Sequence, residues 1–318
     1  MLSPFSKGCA VLEPRKMLGE AGIVARQFAA SAARWPGARR STRLSANATS
    51  PRLNPIEPED AARREAARAA LELELGERIT LDGLTGAWFI VQRAKGHRHS
   101  VDDVLTAAYA LEVSPRVTRH LDLGTGIGTV GLLVSWGMGD AASLTAIEAQ
   151  TVSHRLLLEN IAGNGLQARV RPLLGDLREL ALAECFPLIT GSPPYFPVSA
   201  GIVPQDSQKA HARFELRGDV SDYVVAARRH LAPGGWFVFC FPTPQKQRAL
   251  AAISAGGLSL VRVRDVIPRA GLAPLFSLFA CRHPDDATDC AIDAPLVVRD
   301  EDGELTVAMQ QVRRGFGF

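Results

Sequence analysis

Residues 119–129 read RHLDLGTGIGT. Arg119–Leu123 predicts a strand ending on an acid, glycines follow at 124, 126 and 128, and the apolar run Val130–Trp136 predicts a helix. Glycines at alternate positions let the backbone turn sharply from strand to helix and approach a ligand closely. Outward from this turn, further strands are expected at Ser143–Glu148, Ala168–Leu174, Leu188–Gly191, Trp236–Phe241, Leu258–Val266 and Leu275–Arg282. Helical segments lie between them near Thr151–Asn164, Val220–His230 and Pro244–Ala255. This alternation predicts an α/β fold, a doubly wound, mostly parallel seven-stranded sheet. The last two strands are joined only by the short stretch from Pro268 to Pro274, too short for a crossover helix, so the final strand should run antiparallel.

The composition narrows the class. The chain has 318 residues, 47% hydrophobic and 22% charged, as in an ordinary globular protein. No stretch approaches 18 consecutive apolar residues, so a membrane-spanning helix is not expected. Five scattered cysteines without a C-x-x-C pair argue against a disulfide scaffold or zinc ribbon and fit a reducing compartment. The net charge is +3, but residues 1–54 carry nine basic and two acidic side chains, which leaves the rest at −4. Any nucleic-acid contact on the body must therefore be a local patch. Residues 1–54 read as a basic arm whose Ala, Ser and Arg content matches an organelle transit peptide. That reading places the protein in a mitochondrion or plastid; without it, the expectation is cytoplasmic. Residues 55–112 read as a helix, a β-hairpin and a second helix capped by Ser100, and residues 113–318 as the alternating domain.

Acids stand at the ends of successive predicted strands. Asp122 precedes the glycine turn, Glu148 ends the second strand and Asp176 follows the third. In open α/β sheets, ligands sit at these carboxyl ends. Glu148 lies 20 residues after Gly128, where an acid can take both hydroxyls of a ribose. Asp176 can meet an adenine amino group. A nicotinamide dinucleotide competes for such a turn, but its fingerprint is G-x-G-x-x-G, and an acid beside a diphosphate is repulsive. Asp122 favours a cationic sulfonium or an α-amino group, and so S-adenosyl-L-methionine.

With the Ser192-Pro193-Pro194-Tyr195-Phe196 run that ends the fourth strand, these features resemble the class I S-adenosylmethionine-dependent methyltransferases. More narrowly, residues 78–318 resemble the bacterial tRNA (adenine-N6)-methyltransferase family. The likeness also includes Ser100–Asp102, residues 208–213, Pro233-Gly234-Gly235 and Leu296–Arg299. It implies that Asp122, Gly124 and Gly126 line the methionine moiety, with Thr125 and Gly128 in the same turn. It further implies that Glu148 holds the ribose, Asp176 the adenine, and that Asp102 closes the cofactor site. The implied partner is RNA, with tRNA as substrate; no metal and no membrane are expected, and the oligomeric state is not readable.

Ser192, Pro193, Pro194 and Tyr195 are the candidate catalytic residues. Methylating a planar amino group needs no covalent intermediate, only acceptors aimed at its two N–H groups. The Ser192 side chain and the Pro193 carbonyl would provide them, with Tyr195 stacking on the planar acceptor and the prolines stiffening the loop. The resembled family carries Asn where this chain has Ser192, which leaves cytosine, a protein glutamine amide or a small-molecule amine as alternatives to adenine. A catalytically silent RNA-binding module is a further alternative, disfavoured by the intact set of acids. Residues 197–218 read as a polar loop that clamps substrate, with Phe196, Lys209 and Arg213 as contacts. Arg93, Lys95, His97, Arg98 and His99 form a candidate phosphate-contact patch. The His97-x-His99 pair lacks partners spaced for a metal.

Overall fold

The computed structural model describes residues 58–318. The arm and its transit-peptide reading lie outside them. Helix α1 (Pro58–Leu75) starts with Glu59 and Asp60 in its first turn, where acids complement the helix dipole. It leads into an antiparallel hairpin of β1 (Ile79–Gly83) and β2 (Phe89–Arg93). Helix α2 (Val101–Val113) follows, with the Asp103 carboxylate accepting from the Ser100 N–H at its start.

The alternating domain then runs β3 (Arg119–Leu123), α3 (Thr129–Met138), β4 (Ser143–Glu148), α4 (Thr151–Gly163), β5 (Val170–Leu174) and β6 (Phe186–Gly191). Next come a short helix α5 (Ser207–Arg213), then α6 (Val220–His230), β7 (Leu231–Pro242), α7 (Lys246–Ala255), β8 (Ser259–Arg269) and β9 (Phe276–Arg282). Two short strands, β10 (Ala291–Ile292) and β11 (Leu296–Arg299), and helix α8 (Val307–Gly315) complete it.

The strands form one sheet in the order β10-β8-β9-β7-β6-β3-β4-β5, with β11 also on β8. β9 runs antiparallel to both β7 and β8, as the short connection requires. The expected seven strands are present. β10 and β11 add parallel pairings to β8, making nine, and their two and four residues are too few for a readable alternation. The chain moves from β3 out to β4 and β5, then returns to place β6 on the other side of β3. The carboxyl ends of β3 and β6 are therefore the topological switch point, where such sheets bind ligands.

Alternate residues of the strands feed two cores. On β7, Phe237, Phe239 and Phe241 face α6 and α7, whereas Val238 and Cys240 join the core of α2, α3, α4, the hairpin and α8. Phe239 stacks between Phe237 and Phe279 at centroid distances of 5.0 and 4.9 Å. Each such buried ring contributes about 1.5–3 kcal/mol. The hairpin is fixed by two asparagines, Asn160 on α4 and Asn164 at its C-terminal cap. Asn160 accepts from Val91 N (2.7 Å) and donates to Ile127 O (2.9 Å), while Asn164 exchanges bonds of 3.0 and 2.8 Å with the Phe89 backbone. Asn160 thus ties β2 directly to the glycine turn.

Candidate functional site

A cleft opens at the switch point, walled by the glycine turn, Glu148, Gly175–Leu177, Ser192 and Pro194. The turn needs left-handed backbone at Gly124 and Gly126, both at φ +60°. At Gly124 a Cβ would also lie 2.1 Å from the Tyr223 hydroxyl. At Gly126 no atom of the described residues lies within 4 Å of where a Cβ would point. Backbone and open space meet there, the arrangement a nucleoside-bearing ligand requires.

Asp122 is 1% exposed and holds the turn together. One carboxylate oxygen accepts from Thr125 Oγ1 (2.6 Å) and Gly131 N (3.1 Å), the other from Thr190 Oγ1 (2.5 Å). Since Thr190 gives its hydrogen to Asp122, His120 Nε2, 2.7 Å away, must donate to Thr190. Burial pushes the His120 imidazole down to about 3, so it is neutral with its proton on Nε2. Burial also pushes Asp122 above the usual carboxylate range, opposed by its three hydrogen bonds. Asp122 lines the cleft, and its oxygens are engaged by the chain itself.

Glu148 is likewise buried, which raises its pKa, and accepts from Gly126 N (2.8 Å) and Gln150 N (2.7 Å). Each oxygen keeps a lone pair for a ligand hydroxyl. Asp176 pairs with Arg178 at 2.6 Å, and that hydrogen bond holds it below the usual range. The three strand-end acids therefore meet in one cleft, together with Gly124, Thr125, Gly126 and Ser192.

The second helix departs from expectation. The residue of α2 in the cleft wall is Asp103, and Asp102 is not among the lining residues. Asp102 instead accepts from the Tyr195 hydroxyl at 2.7 Å and from the Ser100 hydroxyl. Tyr195 stands edge-on to Phe241, with centroids 6.1 Å apart and planes at 87°. Gly128, although outside the wall, is packed so closely that a Cβ would come within 2.7 Å of Leu157.

Residues 197–218 cross the cleft as a strap built on α5, a helix too short to show periodicity in the sequence. Asp206 caps it by accepting from Lys209 N (2.9 Å). Gln208 bonds Ser153 Oγ (3.1 Å) and accepts from His97 N (3.1 Å), and Arg217 donates to Ala149 O (2.9 Å). Gln208, His211 and Arg217 face the cleft. Lys209 and exposed Arg213 are not among the lining residues; their charges, after burial, help to hold the nearby His97 below the usual imidazole value. Phe196 is 42% exposed beside Phe214.

The basic cluster at 93–99 is largely engaged within the chain. Arg93 is bound by Glu77 and by Asp206 (2.6 Å), and Arg98 by Asp82 (3.0 Å) and Thr80 (2.8 Å). His97 and His99 line the cleft, and of the five only Lys95 is exposed. These internal partners are distant in sequence, which is why local spacing misled. His120, Thr190 and Tyr223 also serve the site without a direct sequence signal. Tyr223 alone had an indirect one, since its ring occupies the space left by Gly124 and Gly191.

No family model matches the chain. A solved structure from Agrobacterium tumefaciens, described as a predicted O-methyltransferase, superposes with a TM-score of 0.53 at 20% identity over 68% of this chain and 96% of its own. That likeness concerns the fold. With the strand order, the glycine turn and the three strand-end acids, it defines a class I S-adenosylmethionine-dependent methyltransferase. Among curated proteins, the tRNA1(Val) (adenine(37)-N6)-methyltransferase of Actinobacillus pleuropneumoniae is 25% identical over 232 residues, 72% of this chain and 94% of that protein. Its namesake from Aeromonas hydrophila is 30% identical over 170 residues, 54% of this chain and 70% of that protein. The chain belongs to this tRNA1(Val) (adenine(37)-N6)-methyltransferase family.

Proposed function

We propose that the protein transfers a methyl group from S-adenosylmethionine to the N6 amino group of an adenine in tRNA. The observation that carries the reading is the meeting of Asp122, Glu148 and Asp176 with Ser192 and Pro194 of the Ser-Pro-Pro-Tyr loop at one switch point; Pro193 and Tyr195 stand behind the cleft wall. The residues fit the cofactor: the space at Gly126 admits it, Glu148 would take its ribose hydroxyls and Asp176 its adenine amine. Asp122 would hold the turn and place negative charge near the sulfonium. The bound cofactor supplies an electrophilic methyl carbon.

The chain's part is positioning. Ser192 Oγ and the Pro193 carbonyl would accept from the acceptor amine and favour a pyramidal nitrogen, whose lone pair is then free to react. Cys240 lies beneath them, its Sγ 3.8 Å from Ser192 Oγ. Burial pushes its thiol up to about 12, so it remains a donor and takes no proton from the serine. Pinned at its hydroxyl and edge, Tyr195 would offer a fixed aromatic wall. Phe196, Lys209 and Arg213, which do not line the cleft, would meet the base and backbone of the RNA. Among the described residues no helix is long and apolar enough to cross a membrane. The relatives are bacterial, and a cytoplasmic site of action, where tRNA is matured, follows from the proposal.

The test is incubation with labelled S-adenosylmethionine and unmodified tRNA, followed by nucleoside analysis. N6-methyladenosine is expected; label confined to cytosine or to protein would overturn the adenine assignment.

A further inference from the structure

The carboxylate of Asp102 and the ring of Tyr195 form a contact that the cofactor reading of Asp102 leaves unexplained. Asp102 lies in the first turn of α2, a helix packed against β6, β7 and β9. Its Oδ2 accepts from the Tyr195 hydroxyl at 2.7 Å. That hydroxyl also lies 3.2 Å from Cys240 Sγ, and the ring abuts Phe241. The Tyr195 backbone is held as well, its N–H donating to Arg213 O (3.1 Å) and its carbonyl accepting from Gln245 Nε2 (2.7 Å). Every polar atom of the last residue of the tetrapeptide is thus anchored, and the side-chain anchor is a carboxylate on a rigid helix. A hydrogen bond to a charged acceptor is roughly twice as strong as a neutral one.

We propose that Asp102 is a positioning residue for the methyl acceptor, acting through Tyr195 and not through the cofactor. The inference rests on the reading that the tetrapeptide holds the acceptor amine. Burial, then the neighbouring Cys240 and Asp102, hold the phenol well above its ordinary pKa, so it stays protonated and keeps donating. Removing the carboxylate leaves the hydroxyl only the weaker sulfur acceptor of Cys240 and loosens the ring. The two acceptors three and two residues before it, Ser192 Oγ and Pro193 O, then lose their fixed height above the cleft. An interaction of this kind acts on turnover and leaves cofactor affinity nearly intact.

The test uses the full chain and five proteins: parent, Asp102→Ala, Asp102→Asn, Tyr195→Phe and Asp102→Ala/Tyr195→Phe. S-adenosylmethionine Kd is measured by calorimetry, kcat and KM on whichever acceptor the parent methylates, and folding by thermal melting. Kd is expected to stay within about threefold throughout. Asp102→Ala and Tyr195→Phe should each lower kcat on the order of tenfold or more, and the double variant should be no worse than either single one. Asp102→Asn, which keeps an oxygen acceptor, should recover most of the loss. A Kd raised tenfold by Asp102→Ala but not by Tyr195→Phe would overturn the proposal, as would multiplicative losses in the double variant. If the parent methylates no tRNA, the functional reading fails, and the Kd comparison still decides which partner Asp102 serves.

Discussion

Replacing His120 by Phe should flatten the acid side of the stability profile. His120 is fully buried, with Nε2 donating to Thr190 at 2.7 Å, and burial lowers its pKa to about 3. In the unfolded chain the same imidazole titrates near its ordinary value of about 6.5. Below that pH the unfolded chain binds a proton that native His120 refuses. The unfolded state then holds more protons, so stability falls as pH falls, from about 6.5 down to about 3. One proton corresponds to about 1.4 kcal/mol per pH unit, so at about pH 4.5 the parent has lost about 2.7 kcal/mol through this residue. Phe removes the titration but leaves Thr190 free to donate to Asp122, so the raised Asp122 contributes to both proteins alike. Lost packing and the lost Nε2 bond offset the variant by a constant amount. Urea unfolding of both proteins between about pH 7 and 4.5 should show the stability gap between parent and variant shrinking by about 2–3 kcal/mol. Parallel profiles would refute the argument, because they would mean that native His120 takes up a proton as readily as the unfolded chain does.

Thr190→Val should cost about 2–4 kcal/mol in urea unfolding, because it orphans the buried His120 N–H and removes a donor from a buried carboxylate. The same variant should weaken S-adenosylmethionine binding by calorimetry; unchanged stability would show that the relay is not formed. Asp206→Ala removes the 2.6 Å pair with Arg93 that fastens the strap, and stopped-flow measurements should show cofactor release roughly tenfold faster, for a lost charge-assisted bond of about 1.5 kcal/mol. An unchanged release rate would mean that the cofactor leaves without the strap moving. Ser192→Asn should keep adenine methylation within about tenfold, since the amide oxygen can replace the hydroxyl as acceptor. An inactive Ser192→Asn beside a parent that methylates a different amine would make the serine a specificity determinant.

What could be read in advance depended on how local its cause is. The strand, turn and helix at 119–136 were legible because alternation, an acid and three glycines lie within one short stretch. Helix α6 is legible as Val220–His230 because its causes are local, and in the structure Asp219 caps it, accepting from Ser221 N at 2.8 Å. Helix α5 was not read, because its seven residues make barely two turns and its anchors, Ser153 and His97, come from other elements. The basic run at 93–99 reads as a free patch for the same reason: the acids that engage it, Glu77, Asp82 and Asp206, lie elsewhere in the chain. The acids of the site divide along this line. Those following parallel strands converge because the sheet brings every carboxyl end to one edge, so position along the strand is enough to place Asp122, Glu148 and Asp176 together. Asp102 and Asp103 lie on a helix, where one residue turns a side chain by about 100°. A motif aligned correctly to the residue still leaves open which of two adjacent acids faces the cleft. Here the helix, docked on β6, β7 and β9, turns Asp103 to the cleft and Asp102 to Tyr195. On the proposed reading, a role carried from one member of the pair to the other would therefore move from the cleft that takes the cofactor to the loop that holds the methyl acceptor.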